Sequence, residues 1–167
     1  MRLKTLYLNE SLTENTMTRL KTILLGKDSK IKQFVIGTPE NPMGQKLSSK
    51  ENKVRCDEFE SEMNELHIPF IKIVGLYNNK ENSYILPNLD EEIAKELFGY
   101  EGYDQESFIV GETNDGAVDF YYWQKNEGDS PYKLLDAERG ITMMNDAENF
   151  FSSKKNWKFK IDFSIFR

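Results

Sequence analysis

The sequence predicts an α+β fold with a mixed β-sheet, helices packed mainly on one face, and a ferredoxin-like βαββαβ core with extra strands. Between residues 31 and 111, apolar runs alternate with segments of helical periodicity in the order strand, helix, strand, strand, helix, strand. A right-handed strand–helix–strand crossover should make the first two strands parallel, and hairpins then add antiparallel neighbours.

Size and composition support one domain with a sizeable core. The chain has 167 residues, of which 38% are hydrophobic and 13% aromatic. Large aromatic side chains can build a core despite a 30% charged fraction. We therefore expect a single domain over residues 1–167, with residues 31–124 as its core.

The first half of the core is a strand, a loop, a helix and a second strand. Residues 31–37 (IKQFVIG) are rich in β-branched side chains and predict a strand. Ser48 and Glu51 form a capping box, which predicts a helix beginning there and ending near Leu66. The apolar stripe of this helix follows a spacing of three, four and three residues and consists of Cys56, Phe59, Met63 and Leu66. Residues 68–77 predict the next strand.

The second half of the core repeats the pattern. Residues 82–86 predict a strand that pairs with the preceding one, and Asn88 is the expected cap of a third helix that ends at Gly99. Residues 105–112 and 117–124 predict two strands joined by a T-N-D-G turn, which is typical of a hairpin.

Segments outside the core are interpreted as additions. At the N-terminal side, residues 3–8 suit a short strand and residues 12–25 suit a helix. At the C-terminal side, residues 147–151 suit a helical turn. Residues 157–166 alternate apolar and polar side chains, which predicts a half-buried strand.

Composition also excludes several function classes. The net charge of −6 argues against binding extended nucleic acid, because phosphate neutralisation needs a basic excess. One cysteine and one histidine allow neither an intramolecular disulfide nor a structural zinc site. No apolar run approaches the roughly 20 residues that span a bilayer. We expect a soluble cytoplasmic protein with no metal, cofactor or membrane partner, and no residue is assigned a catalytic role.

The segment Thr38–Arg55 is the strongest candidate for a functional site. Pro39 and Pro42 exclude a regular helix, so the segment begins as a loop and ends in the first turns of a helix. A helix N-terminus offers free N–H groups, and Arg55 could add a bidentate donor for a phosphate or carboxylate. The candidate ligand-binding residues are Asn41, Gly44, Ser48, Glu51, Asn52, Arg55 and Glu106.

A purely structural interpretation of the same residues stays open. Ser48 and Glu51 would then only cap the helix, and Asn41 would only close a turn before Pro42. Arg55 would pair with an internal acid such as Glu106.

The motifs N-P-x-G, L-S-x-x-E-N-x-x-R and E-S-F resemble a family of small bacterial and phage proteins catalogued as a domain of unknown function. The residues that carry the resemblance are Asn41, Pro42, Gly44, Leu47, Ser48, Glu51, Asn52, Arg55, Glu106, Ser107 and Phe108. The resemblance covers about residues 31–124 and brings no established activity.

A second candidate surface is the aromatic hairpin, residues 105–124. Strand alternation places Phe120 and Tyr122 on one face and Tyr121 and Trp123 on the other. One face belongs to the core. The other is either an exposed aromatic surface, which suits a protein interface or base stacking, or is covered by the terminal segments.

Three functions are consistent with these features. The first is a non-enzymatic binding or regulatory protein, for example a phage accessory factor that acts on a host or defence protein through the 38–55 loop and the aromatic hairpin. The second is an enzyme or binding protein for a nucleotide or other anionic ligand near Arg55, with Glu51 or Glu106 as acid or base. The third is a virion structural component.

Overall fold

The computed structural model describes residues 5–8, 14–76, 80–126, 132–144 and 158–166. Three helices and nine strands lie in these ranges. In chain order they are β1 (Thr5–Leu8), α1 (Glu14–Leu24), β2 (Gln33–Gly37), α2 (Ser49–Glu65), β3 (Ile71–Leu76), β4 (Lys80–Pro87), α3 (Glu91–Leu97), β5 (Ser107–Asn114), β6 (Ala117–Lys125), β7 (Tyr132–Arg139), β8 (Thr142–Met144) and β9 (Lys158–Lys160). Short 3₁₀ turns cover Pro42–Gly44 and Ser164–Phe166.

One sheet contains all nine strands, in the order β7-β6-β5-β2-β4-β3-β1-β9-β8. Its centre, β5-β2-β4-β3, has the connectivity of a ferredoxin-like βαββαβ unit, so the predicted α+β class and core topology are confirmed. The prediction of a mixed sheet was wrong, because every strand pair in the described ranges is antiparallel. β2 and β3 do run in the same direction, but β4 lies between them.

Both faces of the central strands are buried. On one face, α2 and α3 pack Phe59 and Phe98 against alternate side chains of β2, β4 and β5. On the opposite face, Leu20 and Leu24 of α1 pack against the other side chains of the same strands. The expectation of helices mainly on one face therefore holds for α2 and α3, while α1 covers the other face.

Most predicted core elements lie within a few residues of their expected positions. The structure differs from the prediction at the cap of α3, in two further strands and in the last strand. α3 is capped by Asp90, whose side chain accepts a hydrogen bond from the Ile93 N–H, and not by Asn88, which adopts a left-handed conformation with φ of 62°. β7 and β8 were not predicted. The predicted strand over 157–166 is only three residues long where described, because the chain leaves the sheet after Lys160. The predicted helical turn over 147–151 lies outside the described residues.

The chain after β9 crosses the α1 face of the sheet to reach β7. Ser164 Oγ donates a hydrogen bond to Asp136 Oδ2 of β7 at 2.9 Å. β9 and β7 are seven positions apart in the sheet order, which is about 34 Å in a flat sheet at about 4.8 Å per strand. The four residues from Lys160 to Ser164 reach at most about 14 Å. The sheet must therefore curve strongly around the α1 face, and residues 161–166 form a C-terminal strap across it.

The strap is anchored by its apolar side chains. Phe163 is fully buried, and its ring centroid lies 5.5 Å from that of Tyr122 in β6. Ile161 is also buried in the same cluster, whereas Ile165 is 41% exposed. The strap therefore contributes side chains to the hydrophobic core.

No helix in the described ranges is long and apolar enough to cross a membrane.

Phe163→Ala is expected to lower the free energy of unfolding by about 3–5 kcal/mol, because it removes a fully buried ring and leaves a cavity. Urea denaturation measures the change, provided that the slope of the free energy of unfolding against urea concentration is the same in both variants. Ile165→Ala is the matched control in the same strap and should cost less than about 1 kcal/mol. Equal effects of the two substitutions would contradict the anchoring role of Phe163.

Candidate functional site

The loop that follows β2 leaves the sheet at its centre and leads into α2. Three of its residues have left-handed backbone conformations: Asn41 (φ 49°), Met43 (φ 53°) and Gly44 (φ 73°). Asparagine and glycine tolerate this region, but methionine adopts it rarely and at a cost of about 1–2 kcal/mol. The loop conformation is therefore imposed by specific contacts and does not follow from local preference alone.

An amide pair fastens this loop to α2. The Asn41 backbone N–H donates to Asn52 Oδ1 at 3.0 Å, and Asn52 Nδ2 donates to Asn41 Oδ1 at 2.9 Å. The same Asn41 oxygen accepts the Leu47 N–H at 2.9 Å. Asn52 is 9% exposed. Both predicted residues are thus brought together, and these hydrogen bonds close the loop.

The N-terminus of α2 is closed by its own capping box, as predicted. The Ser48 N–H and Oγ–H both donate to Glu51 Oε2, at 2.9 and 2.7 Å, and the Glu51 N–H donates to Ser48 Oγ. The hydrogen bond from the Ser48 backbone, followed by that from its side chain, lowers the pKa of the Glu51 carboxyl. A carboxylate therefore already lies at the helix N-terminus, where an anionic ligand was expected.

Arg55 connects two loops. Its Nε donates to the Pro39 carbonyl oxygen and an Nη donates to the Tyr103 carbonyl oxygen, while its guanidinium lies 5.8 Å from the centre of the Tyr103 ring. The sequence singled out Arg55 as a donor for an anion. In the structure, these donors hold the loop after β2 against the loop between α3 and β5.

Gly44 and Glu106 also lie together. A Cβ on Gly44 would lie 3.2 Å from Glu106 Oε2, and the φ of 73° at Gly44 suits glycine best. All seven predicted residues are therefore in or beside one loop junction. Most of their described hydrogen bonds stabilise that junction, as in the structural interpretation that the sequence left open. That interpretation expected an acid such as Glu106 as the partner of Arg55, and the structure instead gives it two backbone carbonyl oxygens.

Two buried acids in this region were not identified from the sequence. Glu40 is 6% exposed, and its Oε2 accepts the Asn82 N–H at 2.6 Å. Glu81 is 9% exposed; burial, with a contribution from the Glu40 charge, raises the pKa of its carboxyl. A glutamate in a loop between Pro39 and Pro42 is expected to be exposed, so no feature of the sequence predicts the burial of Glu40.

Cys56 has the character of a core residue. It is 2% exposed, and burial together with the Glu40 charge raises the pKa of its thiol to about 12. A thiol in this state is neutral near pH 7 and a poor nucleophile. Among the residues that the structure describes, no group of three or more His, Cys, Asp or Glu side chains could hold a metal ion.

Exposed side chains from two loops meet at the end of β6. Met43 is 48% exposed and Tyr100 is 80% exposed. Lys125 contacts both: its Nζ lies 3.4 Å from the Met43 sulfur and 5.7 Å from the centre of the Tyr100 ring. Lys125 also donates to Asp104 Oδ1 at 2.5 Å, and the Asp104 carbonyl oxygen accepts the Met43 N–H at 2.8 Å. We name Met43, Tyr100 and Lys125 the Met43–Tyr100 surface.

The aromatic hairpin is largely internal. Phe120 and Tyr122 are buried on the α1 face. Tyr121 and Trp123 are half-buried against the α2 face, where Lys95 of α3 lies 4.4 Å from the centre of the Trp123 ring. The Met43–Tyr100 surface therefore takes from β6 its last residue, Lys125, which follows the hairpin.

Asn52→Ala is expected to lower the free energy of unfolding by about 1–3 kcal/mol, because the Asn41 N–H loses its acceptor in a part-buried site. Urea denaturation measures the change. Lys53→Ala, at the next position of α2, removes an ion-paired side chain that is 75% exposed and should cost less than about 1 kcal/mol. A cost for Asn52→Ala no larger than that of its neighbour would contradict the fastening role of the amide pair.

The capping box predicts a pH dependence. The folded state holds Glu51 as a carboxylate, so the unfolded state binds its proton more readily and stability increases with pH in this range. The contribution of Glu51 is complete above its ordinary pKa of 4.5 and is lost as the pH falls through the lower, folded value.

Glu51→Gln should therefore lose less stability than the wild type between about pH 5 and pH 3. Denaturation midpoints across this range measure the difference. Glu65→Gln, an exposed position at the other end of α2, should keep the wild-type slope. If the stability of Glu51→Gln depends on pH as steeply as that of the wild type, Glu51 is not the source of the pH dependence.

Comparison with known proteins gives one family match. No curated protein and no solved structure matches the chain. The resemblance to a domain-of-unknown-function family is confirmed over a segment shorter than the predicted 31–124, and the motif residues from Asn41 to Phe108 all lie inside it. Residues 38–108, from the loop after β2 to the start of β5, match the family described as Protein of unknown function (DUF3293).

Proposed function

We propose that this protein is a non-enzymatic binding or regulatory protein that recognises a protein partner through the Met43–Tyr100 surface. One observation carries the proposal: a methionine in a strained left-handed conformation is held outward beside an exposed tyrosine, and one lysine contacts both. Strain of this kind is retained where the surrounding contacts over-determine it, and it is concentrated at functional sites.

The chemistry of the surface suits a protein interface. Single exposed apolar residues are ordinary, but methionine and aromatic side chains grouped on a fixed backbone are typical of interface centres. Lys125 adds a cation that is already oriented by Asp104. The net charge of −6 favours a protein partner over extended nucleic acid.

The alternative, an anion or nucleotide site near Arg55, has less support. Glu51 places a negative charge at the helix N-terminus, and the described donors of Arg55 bind backbone carbonyl oxygens. An anion would have to displace contacts that fasten the loop, at a cost of about 1–3 kcal/mol for each buried polar group left unsatisfied. A non-enzymatic role is consistent with the hydrogen bonds that Ser48 already makes to the Glu51 carboxylate and with the neutral thiol of Cys56.

The family resemblance suggests a finer proposal. A phage accessory factor in the cytoplasm of an infected bacterium would use this surface against a host or defence protein. A virion component would instead use it for self-association, so particle composition and oligomeric state separate the two roles.

The test is co-purification of a tagged protein from bacterial cells after cross-linking. We expect a partner to be recovered with the wild type and to fall at least tenfold with the double variant Met43→Ala/Tyr100→Ala, because hot-spot truncations cost about 2 kcal/mol or more. Both side chains are exposed, so urea denaturation should show a folded variant.

The matched control removes equally exposed apolar side chains elsewhere. Val54→Ala/Leu66→Ala should retain the partner; Val54 is 50% exposed on α2, and Leu66 is 58% exposed at its C-cap. Equal recovery with both double variants, or recovery of the chain only with itself, would contradict a partner-binding role for the Met43–Tyr100 surface.

A further inference from the structure

A pocket of about 510 Å³ lies on the opposite side of the 38–55 loop from the Met43–Tyr100 surface. It opens over β3 and β4, and its walls come from the loop, the first turns of α2 and these two strands. Its size falls in the range of roughly 300–1,000 Å³ that is typical of small-molecule sites. The proposed protein-binding function does not use it.

A buried carboxylate lies in the pocket wall. Glu40 is only 6% exposed. Its Oε2 accepts hydrogen bonds from the Asn82 N–H and, at 3.5 Å, from the Cys56 thiol. Both hydrogen bonds that the described residues donate to this carboxylate go to Oε2, and no described lysine or arginine forms an ion pair with it. A buried charge is costly unless it is paired and hydrogen-bonded, so Oε1, the other oxygen of this carboxylate, is suited to accept a donor from a ligand.

The remaining charge on the pocket walls is mainly basic. Lys46, Lys53, Lys72 and Lys80 all line it. Lys53 is paired with Asp57 at 2.6 Å, and Lys72 with Glu60 at 3.4 Å. Lys46 is exposed and makes no ion pair with a described residue. The pocket thus has a buried negative acceptor, Glu40, at one end and an exposed positive charge, Lys46, at the other.

We propose that this pocket binds a small molecule with a nitrogen donor at one end and an anionic oxygen group at the other. The donor would bond to the Oε1 of Glu40, and the anionic group would be attracted to Lys46. Nucleoside monophosphates and free α-amino acids share this chemistry. A simple anion has no group for Glu40, and a simple amine has none for Lys46.

The test is isothermal titration calorimetry of the full chain with the four common nucleoside monophosphates, the free amino acids, and inorganic phosphate alone. We expect saturable binding by one of the first two classes and not by phosphate. Glu40→Gln should weaken that binding about tenfold or more, since a charge-assisted hydrogen bond is lost. Glu65→Gln makes the same acid-to-amide change outside the pocket and should bind as the wild type does.

Lys46→Gln gives an independent measurement if Glu40→Gln fails to fold. It should weaken binding several-fold, and most at low salt, while Lys50→Gln, an exposed lysine outside the pocket lining, should not. Saturable binding of a nucleoside monophosphate would identify the ligand class as nucleotides, and saturable binding of a free amino acid would identify it as amino acids. The proposal is overturned by no saturable binding, by equally tight binding of phosphate alone, or by wild-type affinity in both Glu40→Gln and Lys46→Gln.

Discussion

The need to bury both faces of one antiparallel sheet organises this molecule. The central strands carry apolar side chains at consecutive positions, as in Phe34, Val35 and Ile36 of β2, so neither face can be left in water. α2 and α3 cover one face. α1 covers only part of the other, and the curved sheet with its C-terminal strap covers the rest. The extra strands and the strap are therefore as necessary to the core as the βαββαβ unit is.

The same constraint explains the loop after β2. β2 ends at the centre of the sheet, so the loop must cross the top of the core and cannot lie along an open edge. Its polar groups need partners there, and Asn52 and Arg55 of α2 provide them. A loop fixed in this way presents one side toward β6 and the other toward β3 and β4. The exposed Met43 and the buried Glu40 lie only three positions apart, yet they serve these opposite sides.

The sequence was informative where local patterns decide structure and uninformative where distant contacts do. Capping residues and apolar periodicity placed α2, and β-branched runs placed β2 and β3. β7 was missed because Y-K-L-L-D-A-E-R has no β-branched residue and resembles a helix; pairing with β6 overrides this preference. The residues of the loop junction and the capping box of Ser48 and Glu51 were identified, but the partners of Arg55 were not. Whether Arg55 faces solvent or two carbonyl oxygens depends on the loop at Tyr103, 48 positions away.

The pairing of β1 with β9 has a consequence for the order in which the protein folds. Leu6 is opposite Phe159, so β1 waits for β9, which follows every other described strand along the chain. The βαββαβ unit needs only residues up to about 114 and could form while synthesis continues. The part of the α1 face that α1 itself does not cover would stay open until residues 159–163 leave the ribosome. During that interval its apolar side chains are open to chaperones and to aggregation, and such distant pairings make the final step slow.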